Sequence, residues 1–267
     1  MLKFMSFGSG SCGNCYYICT ETYGMLIDAG IGIRKMKKYF CDYGLSFDDV
    51  KCIIVTHDHA DHVKAVGMLS EAYNLPVFAT GKVHEGIRRN YCVHKKVNIA
   101  NVRVLNKGEK FCLGEFEVRT FDVPHDSLEN VGYLIKCGDR TFALMTDVGH
   151  VTDEMAEVIG MADYLVIEAN YDEDMLWTGT YPDYLKKRVS GGMGHLSNKL
   201  CARAICENAS DRLCHVWLCH LSEENNHPEL ARKTVEAELS AAGMCNAGGL
   251  RVDVLRRNAP SIMFELE

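Results

Sequence analysis

The sequence predicts a layered α/β protein with α+β-type layers, an αββα sandwich, built as one domain over residues 1–267. Three observations carry this. Short apolar strands come in two separate series. Helices with a single apolar face flank each series. No linker, low-complexity tract or internal repeat interrupts the chain.

In order, Leu2 to Phe7, Cys15 to Thr20 and Met25 to Asp28 read as strands separated by Gly-rich turns. Gly32 to Tyr43 reads as a basic amphipathic helix with Ile33, Met36 and Phe40 on one face. A strand at Cys52 to Val55 leads into a His-rich loop, then a helix from His62 to about Tyr73. A brief strand at Pro76 to Ala79 precedes a helix at Gly81 to Asn90. From Val102 to Thr146 strand follows strand, with turns at Lys107-Gly108 and Gly138-Asp139. The second half alternates. A helix at Thr152 to Gly160, a strand at Tyr164 to Ile167 and helices near Pro182 to Val189 and Ser197 to Asn208 come first. A strand at Cys214 to Cys219, a helix at Pro228 to Ala242 and strands near Val252 to Leu255 and Ile262 to Phe264 close the chain.

The apolar fraction of 47% is that of an ordinary soluble protein. No run reaches membrane-span length, and Met1 to Phe7 lacks the layout of a signal peptide. Thirteen scattered cysteines favour reduced thiols and a cytoplasmic setting. Cys12-x-x-Cys15 lies among turn residues with no second pair at finger spacing, so it is discounted as a zinc or redox motif. A net charge of −7 argues against holding nucleic acid by bulk electrostatics and leaves room for a local phosphate site. No membrane and no obligate protein partner are expected.

Chemistry concentrates in Thr56-His57-Asp58-His59-Ala60-Asp61-His62. Three imidazoles and two carboxylates directly after a buried strand are costly to desolvate, and charged histidines repel. Divalent ions remove both costs, because neutral imidazole and ionised carboxylate are their ligands. His57 and His59 can face one ion, and Asp61 and His62 a second.

Here the chain resembles the metallo-β-lactamase superfamily. Later landmarks follow in the family's order: His125 in Phe121-Asp122-Val123-Pro124-His125, Asp147 in Met145-Thr146-Asp147-Val148-Gly149 and His220 in Leu218-Cys219-His220-Leu221-Ser222. Asp28 in Leu26-Ile27-Asp28-Ala29-Gly30 matches a strand-end aspartate of the fold and is expected to be structural. The resemblance implies one ion on His57, His59 and His125, a second on Asp61, His62 and His220, and Asp147 bridging them. Zinc suits the histidines and manganese is the alternative. Asp58 is expected behind the ligands, holding a histidine nitrogen or backbone amides.

Superfamily members hydrolyse several bond types. Glu168 in Val166-Ile167-Glu168-Ala169-Asn170 and His195 in Gly194-His195-Leu196-Ser197-Asn198 resemble the Glu and His that phosphodiesterase branches such as RNase Z use to protonate a leaving alcohol. Ser197 and Asn198 begin a helix whose free amides favour phosphate. Lys186, Lys187 and Arg188 could follow a phosphate backbone, as could Arg88, Arg89, Lys95 and Lys96, although charge runs are often only solvated faces.

Ser6-Phe7-Gly8-Ser9-Gly10-Ser11-Cys12-Gly13-Asn14-Cys15, Tyr184-Leu185-Lys186-Lys187-Arg188, Gly194-His195-Leu196-Ser197-Asn198 and His220-Leu221-Ser222-Glu223-Glu224-Asn225-Asn226 are similar to the YycJ/WalJ-like branch, thought to comprise DNA exonucleases. The Ser/Gly turn is either a tight hairpin or a substrate-contacting loop. The stretch from Asp147 to His220 is too short for the β-CASP insertion of RNase J. The stretch from His125 to Asp147 has no room for the tRNA-gripping arm of RNase Z. His59 stands where flavodiiron proteins carry glutamate, which argues against oxygen reduction.

The resemblance therefore implies a DNA phosphodiesterase, an exonuclease. A metal-bridging hydroxide attacks phosphorus, Asp61 belongs to the catalytic metal set, and His195, oriented by Glu168, is the general acid. Two alternatives stay open: a thioester or lactone hydrolase of the glyoxalase II type, and a metal-binding regulatory protein without turnover.

Overall fold

The computed structural model describes residues 1–244 and 249–267. They group into two compact units, the first of residues 1–115, 127–130 and 256–267, the second of residues 116–126 and 131–255.

The first unit runs β1 (Leu2–Gly8), β2 (Cys15–Cys19), β3 (Gly24–Ile27), α1 (Ile33–Asp42), β4 (Val50–Ile54), α2 (Ala60–Val63), α3 (Val66–Tyr73), β5 (Val77–Thr80), α4 (Gly81–Arg89), β6 (Val102–Leu105) and β7 (Lys110–Leu113). The second runs β8 (Phe116–Asp122), β9 (Val131–Cys137), β10 (Arg140–Met145), α5 (Asp153–Met161), β11 (Tyr164–Glu168), α6 (Glu173–Thr178), α7 (Asp183–Val189), α8 (Asn198–Asn208), β12 (His215–Cys219), α9 (Pro228–Ala241) and β13 (Arg251–Val254). The chain closes with β14 (Phe264–Leu266), which belongs to the first unit.

The sheet of the first unit has the order β14-β1-β2-β3-β4-β5-β6. It is antiparallel from β14 to β3 and parallel from β3 to β6. The apolar runs of β2 and β3 are buried at every residue, as strands covered on both faces require. The face of α1 that sequence periodicity selects is the packed one, with Met36 and Phe40 buried. Phe40 stacks on Phe47 at 3.8 Å between ring centroids, and Phe47 on Tyr73 at 4.4 Å.

The single helix expected from His62 to Tyr73 is two helices, α2 and α3. The Ala65 N–H donates to Ala29 O at 2.9 Å instead of continuing the helical ladder, so the helix breaks there.

In the second unit the strands run β13-β12-β11-β10-β9-β8, antiparallel from β8 to β10 and parallel from β10 to β13. Leu165, Ile167, Val216 and Leu218 share one buried cluster with Ile205 of α8 and Val235 and Leu239 of α9. Helix α6 is not among the elements expected from sequence. Its signal is nonetheless present, because Asp172 caps it by accepting the Met175 N–H at 3.0 Å and two acids fill its first turn. Parallel order brings the carboxyl ends of β10, β11 and β12 to one edge, where open α/β sheets carry their sites. Asp147, Glu168 and His220 stand at those ends.

Candidate active site

Four non-glycine residues among those described have positive φ: Asp28 (62°), Asn74 (52°), Asp147 (57°) and His220 (53°). Asn74 caps a helix, a routine use of that conformation. The other three each end a strand at an expected site position. Left-handed backbone costs energy in residues with a side chain, and such cost clusters where a side chain must be aimed.

In the first unit, β3 and β4 bring Asp28 against the His-rich loop. Asp28 is fully buried and accepts from Thr56 N at 2.8 Å, Thr56 Oγ1 at 2.9 Å and His62 Nδ1 at 2.7 Å. Its carboxylate is thereby committed to orienting others, the structural role expected. The bond to His62 Nδ1 leaves the lone pair of that ring on Nε2. Thr56 donates to Asp28, so its oxygen is free to accept from His57 Nδ1, 3.0 Å away, and this leaves the His57 lone pair on Nε2 as well. The His57 ring centroid lies 4.0 Å from that of His62 and 4.7 Å from that of His59. Asp58 accepts the Leu128 N–H at 3.3 Å, the amide-holding alternative of its expected role.

The Ser/Gly turn docks on this loop. Asn14 N donates to Asp61 O at 2.7 Å, and Gly30 N donates to Asn14 O at 2.8 Å. A Cβ at Gly30 would collide with the Asp61 carbonyl, so only glycine permits this approach. Asn14 Nδ2 lies 2.8 Å from His62 Nε2 and 3.2 Å from Asp61 Oδ2. In the sequence Asn14 stands out only as part of the turn. Cys12 is exposed, whereas Cys15 is buried and its thiol is pushed well above the ordinary range by burial and then by Asp28, which leaves no reactive pair.

In the second unit, Glu168 is fully buried at the end of β11. Its Oε1 accepts from Nδ1 of His195 at 2.8 Å and of His220 at 2.9 Å. Its Oε2 accepts from Val148 N at 2.7 Å and Leu196 N at 3.1 Å. Asn170 Nδ2 adds a fifth donor at 3.5 Å to Oε1, so this carboxylate is an orienting group, and both imidazoles turn Nε2 away from it. Single ligand atoms of Asp147, Glu168, His195 and His220 all lie within 4.8 Å of one another. His125 Nδ1 donates to Gly194 O at 2.9 Å, and Thr146 Oγ1 donates to Asp147 Oδ2 at 2.8 Å. Asn170 Nδ2 donates to His220 O at 2.7 Å, holding the strained residue.

Burial alone would drive His195 toward its neutral form, yet Glu168 and then Asp147 outweigh it and raise the His195 pKa above the usual histidine value. Burial likewise works against ionised Glu168, and His195 and His220 overcome it, holding the carboxyl below its usual value. The His195 side chain is 19% exposed against 0% for Glu168, so its ring faces solvent from a buried support.

The expected substrate contacts divide. Lys186 is buried and its ammonium donates to Trp177 O at 2.8 Å, a structural engagement linking α6 and α7. Arg188 pairs with Asp126 at 2.6 Å. Lys187 is exposed. Ser197 is buried, caps α8 by accepting from Leu200 N at 3.2 Å and donates to Glu173 at 3.0 Å. Asn198 is buried and bonds the Asn226 amide at 3.0 Å. These two side chains therefore build the helix start. In the other basic cluster Arg89 pairs with Glu85, Lys95 with Glu71 at 2.6 Å, and Lys96 donates to Asn90 O at 2.6 Å. Asp126 is not singled out by any sequence motif, and its Oδ1 lies 3.3 Å from His125 Nε2.

A family model described as a Beta-lactamase superfamily domain matches residues 23–216. The chain belongs to this superfamily. Within it, the chain is 36% identical over 244 residues to exodeoxyribonuclease YycJ of Bacillus anthracis, covering 91% of this chain and 90% of that one. It is 33% identical over 242 residues to exodeoxyribonuclease WalJ of Streptococcus pneumoniae, with 91% and 90% covered. The crystal structure of the metallo-β-lactamase fold protein YhfI from Bacillus subtilis matches with a TM-score of 0.72 at 18% identity, over 97% of this chain and 98% of that one. The layered α/β class expected from the sequence is thus the metallo-β-lactamase fold, and this superfamily member is a metal-dependent hydrolase.

The donor chemistry of each unit suits divalent ions. Imidazoles with one nitrogen held by a carboxylate, hydroxyl or carbonyl present the other as a neutral ligand, and buried carboxylates supply the balancing charge. Among the described residues, no helix is long and apolar enough to cross a membrane.

Proposed function

We propose that this protein hydrolyses phosphodiester bonds in DNA as an exonuclease, with His195 as the general acid. One observation carries the reading: His195, partly exposed, is bonded at 2.8 Å to buried Glu168. Ester hydrolysis that expels an alkoxide needs such a proton donor, whereas a thiolate leaves without one. The exodeoxyribonuclease names of the two relatives support DNA as the substrate.

The ligand set proposed is the one the resemblance implies: His57, His59 and His125 for one ion, Asp61, His62 and His220 for the other, and Asp147 for both. Zinc is favoured by the imidazoles and manganese is the alternative. Bound ions supply Lewis acidity and a nucleophile at neutral pH. The chain's own groups do the rest. Asp28, Thr56 and the Gly194 carbonyl aim the imidazoles, and Glu168 holds the His195 Nδ1–H and favours the imidazolium, whose Nε2–H is the proton for the departing oxygen. Lys187 is the cation of its cluster proposed to meet the phosphate backbone. The scattered cysteines are consistent with a reducing, cytoplasmic setting.

Digestion of linear DNA labelled at either end, with zinc or manganese, tests this reading. Stepwise release of nucleotides that Asp61→Ala abolishes and His195→Ala slows by about 100-fold or more is the expected outcome. Intact DNA under both metals, with turnover of a simple thioester, would replace it by the glyoxalase-like alternative.

A further inference from the structure

Asn14 lies in a motif that the proposed chemistry leaves unused, the Ser/Gly turn. Its side chain is fully buried and its orientation is fixed. Asn14 Oδ1 accepts from Gly10 N at 2.8 Å and from the Tyr16 hydroxyl at 3.4 Å, and that hydroxyl lies 2.9 Å from Ser9 Oγ. The amide nitrogen must therefore face His62 Nε2 at 2.8 Å and Asp61 Oδ2 at 3.2 Å, with Gly10 O at 3.2 Å beside them.

The two acceptors differ in capacity. His62 Nδ1 is committed to Asp28, so its Nε2 has a single lone pair, which serves either the Asn14 amide or an ion. A carboxylate oxygen has two lone pairs, so Asp61 Oδ2 can accept from Asn14 while it binds an ion. One amide thus opposes an ion at His62 and steadies a ligand beside it.

We infer that Asn14 is a positioning residue that tunes metal loading, weakening the hold of His62 on its ion while keeping Asp61 aimed. This rests on the ligand assignment proposed above. Exchange of one hydrogen bond corresponds to roughly a three- to tenfold change in affinity.

Zinc affinity, read by competition with a chromogenic chelator, tests it without reference to turnover. His62→Ala identifies the zinc equivalent that depends on His62. In Asn14→Ala the residue-14 N–H still holds the Asp61 carbonyl, so release of the His62 lone pair decides the sign: that equivalent tightens about three- to tenfold and any other is unchanged. Asn14→Ser keeps a short acceptor for Gly10 N but cannot reach His62, so it shifts affinity the same way and decides the matter if the alanine variant does not fold. Unchanged or weaker binding in a variant with native circular dichroism overturns the inference, and so does a wild-type protein in which no equivalent depends on His62. Failure to cut DNA with the affinity shift intact would remove the exonuclease reading alone.

Discussion

Glu168 holds His195 through a 2.8 Å bond from the imidazole Nδ1 to Oε1, and the same oxygen takes Nδ1 of His220 at 2.9 Å. One buried carboxylate therefore orients both an expected ligand and the proposed acid, and substitutions here separate the two roles.

His195→Ala is expected to slow hydrolysis of DNA by about 100- to 10,000-fold, the usual worth of a positioned general acid. Zinc content should stay that of wild type. A phosphodiester with a nitrophenolate leaving group needs little protonation, so its turnover should fall far less. Comparing kcat for the two substrates checks this, and equal losses on both would assign His195 to substrate binding.

Glu168→Gln removes the charge and keeps the shape. A general acid works while protonated, so activity declines as pH rises through its pKa. Glu168 is what lifts His195 above the usual value, hence the variant should lose activity at lower pH than wild type. Stability has its own signs. The raised His195 pKa gives stability that is present below the ordinary histidine value of 6.5 and is lost as pH rises through the folded value. The lowered Glu168 pKa gives stability that is present above the ordinary carboxyl value of 4.5 and is lost as pH falls through the folded value. Wild type should exceed the variant most between these two pH values, and urea midpoints across pH measure it.

Strand series, the amphipathic α1 and the ordered His and Asp landmarks were legible because periodicity and motif spacing are local properties. Asp28 was readable as structural, and Glu168 as the partner of His195, because both stand at strand ends. What escaped depends on partners distant in sequence. Nothing local to residues 62–73 says that Ala29 takes the Ala65 amide and breaks the helix. Nothing in Leu185-Lys186-Lys187-Arg188 says that Lys186 turns inward to a carbonyl while Lys187 faces water. Ser197 and Asn198 stood out because a helix start offers amides; Glu173 and Asn226 take their side chains and Tyr171 O takes the Asn198 amide at 2.9 Å, partners that no local pattern names.

Asp28→Ala should damage fold and metal site together. The change leaves the Thr56 amide, the Thr56 hydroxyl and His62 Nδ1 without their buried acceptor, at a cost of about 3–5 kcal/mol. Zinc affinity should fall about 10- to 100-fold, as losses of such orienting partners do. Asp28→Asn keeps an acceptor oxygen and should recover part of both. Denaturant unfolding and zinc titration on the same samples read the two effects, and a stable Asp28→Ala with wild-type affinity would remove Asp28 from the site.

Lys186 and Lys187 are neighbours in sequence with opposite environments, and their alanine variants should fail differently. Lys187 is exposed, so taking its ammonium away from a phosphate should weaken DNA binding evenly across sequences and reduce the salt slope by about 0.7 to 0.9. Lys186 donates to Trp177 O from a buried position, so its truncation leaves a carbonyl unsatisfied and loosens α6 from α7. That variant should unfold at lower urea concentration with an unchanged salt slope. Binding isotherms at several salt concentrations, paired with urea midpoints, separate the cases. A reduced slope for Lys186→Ala alone would return the phosphate-binding role to Lys186 and leave Lys187 as a solvated charge.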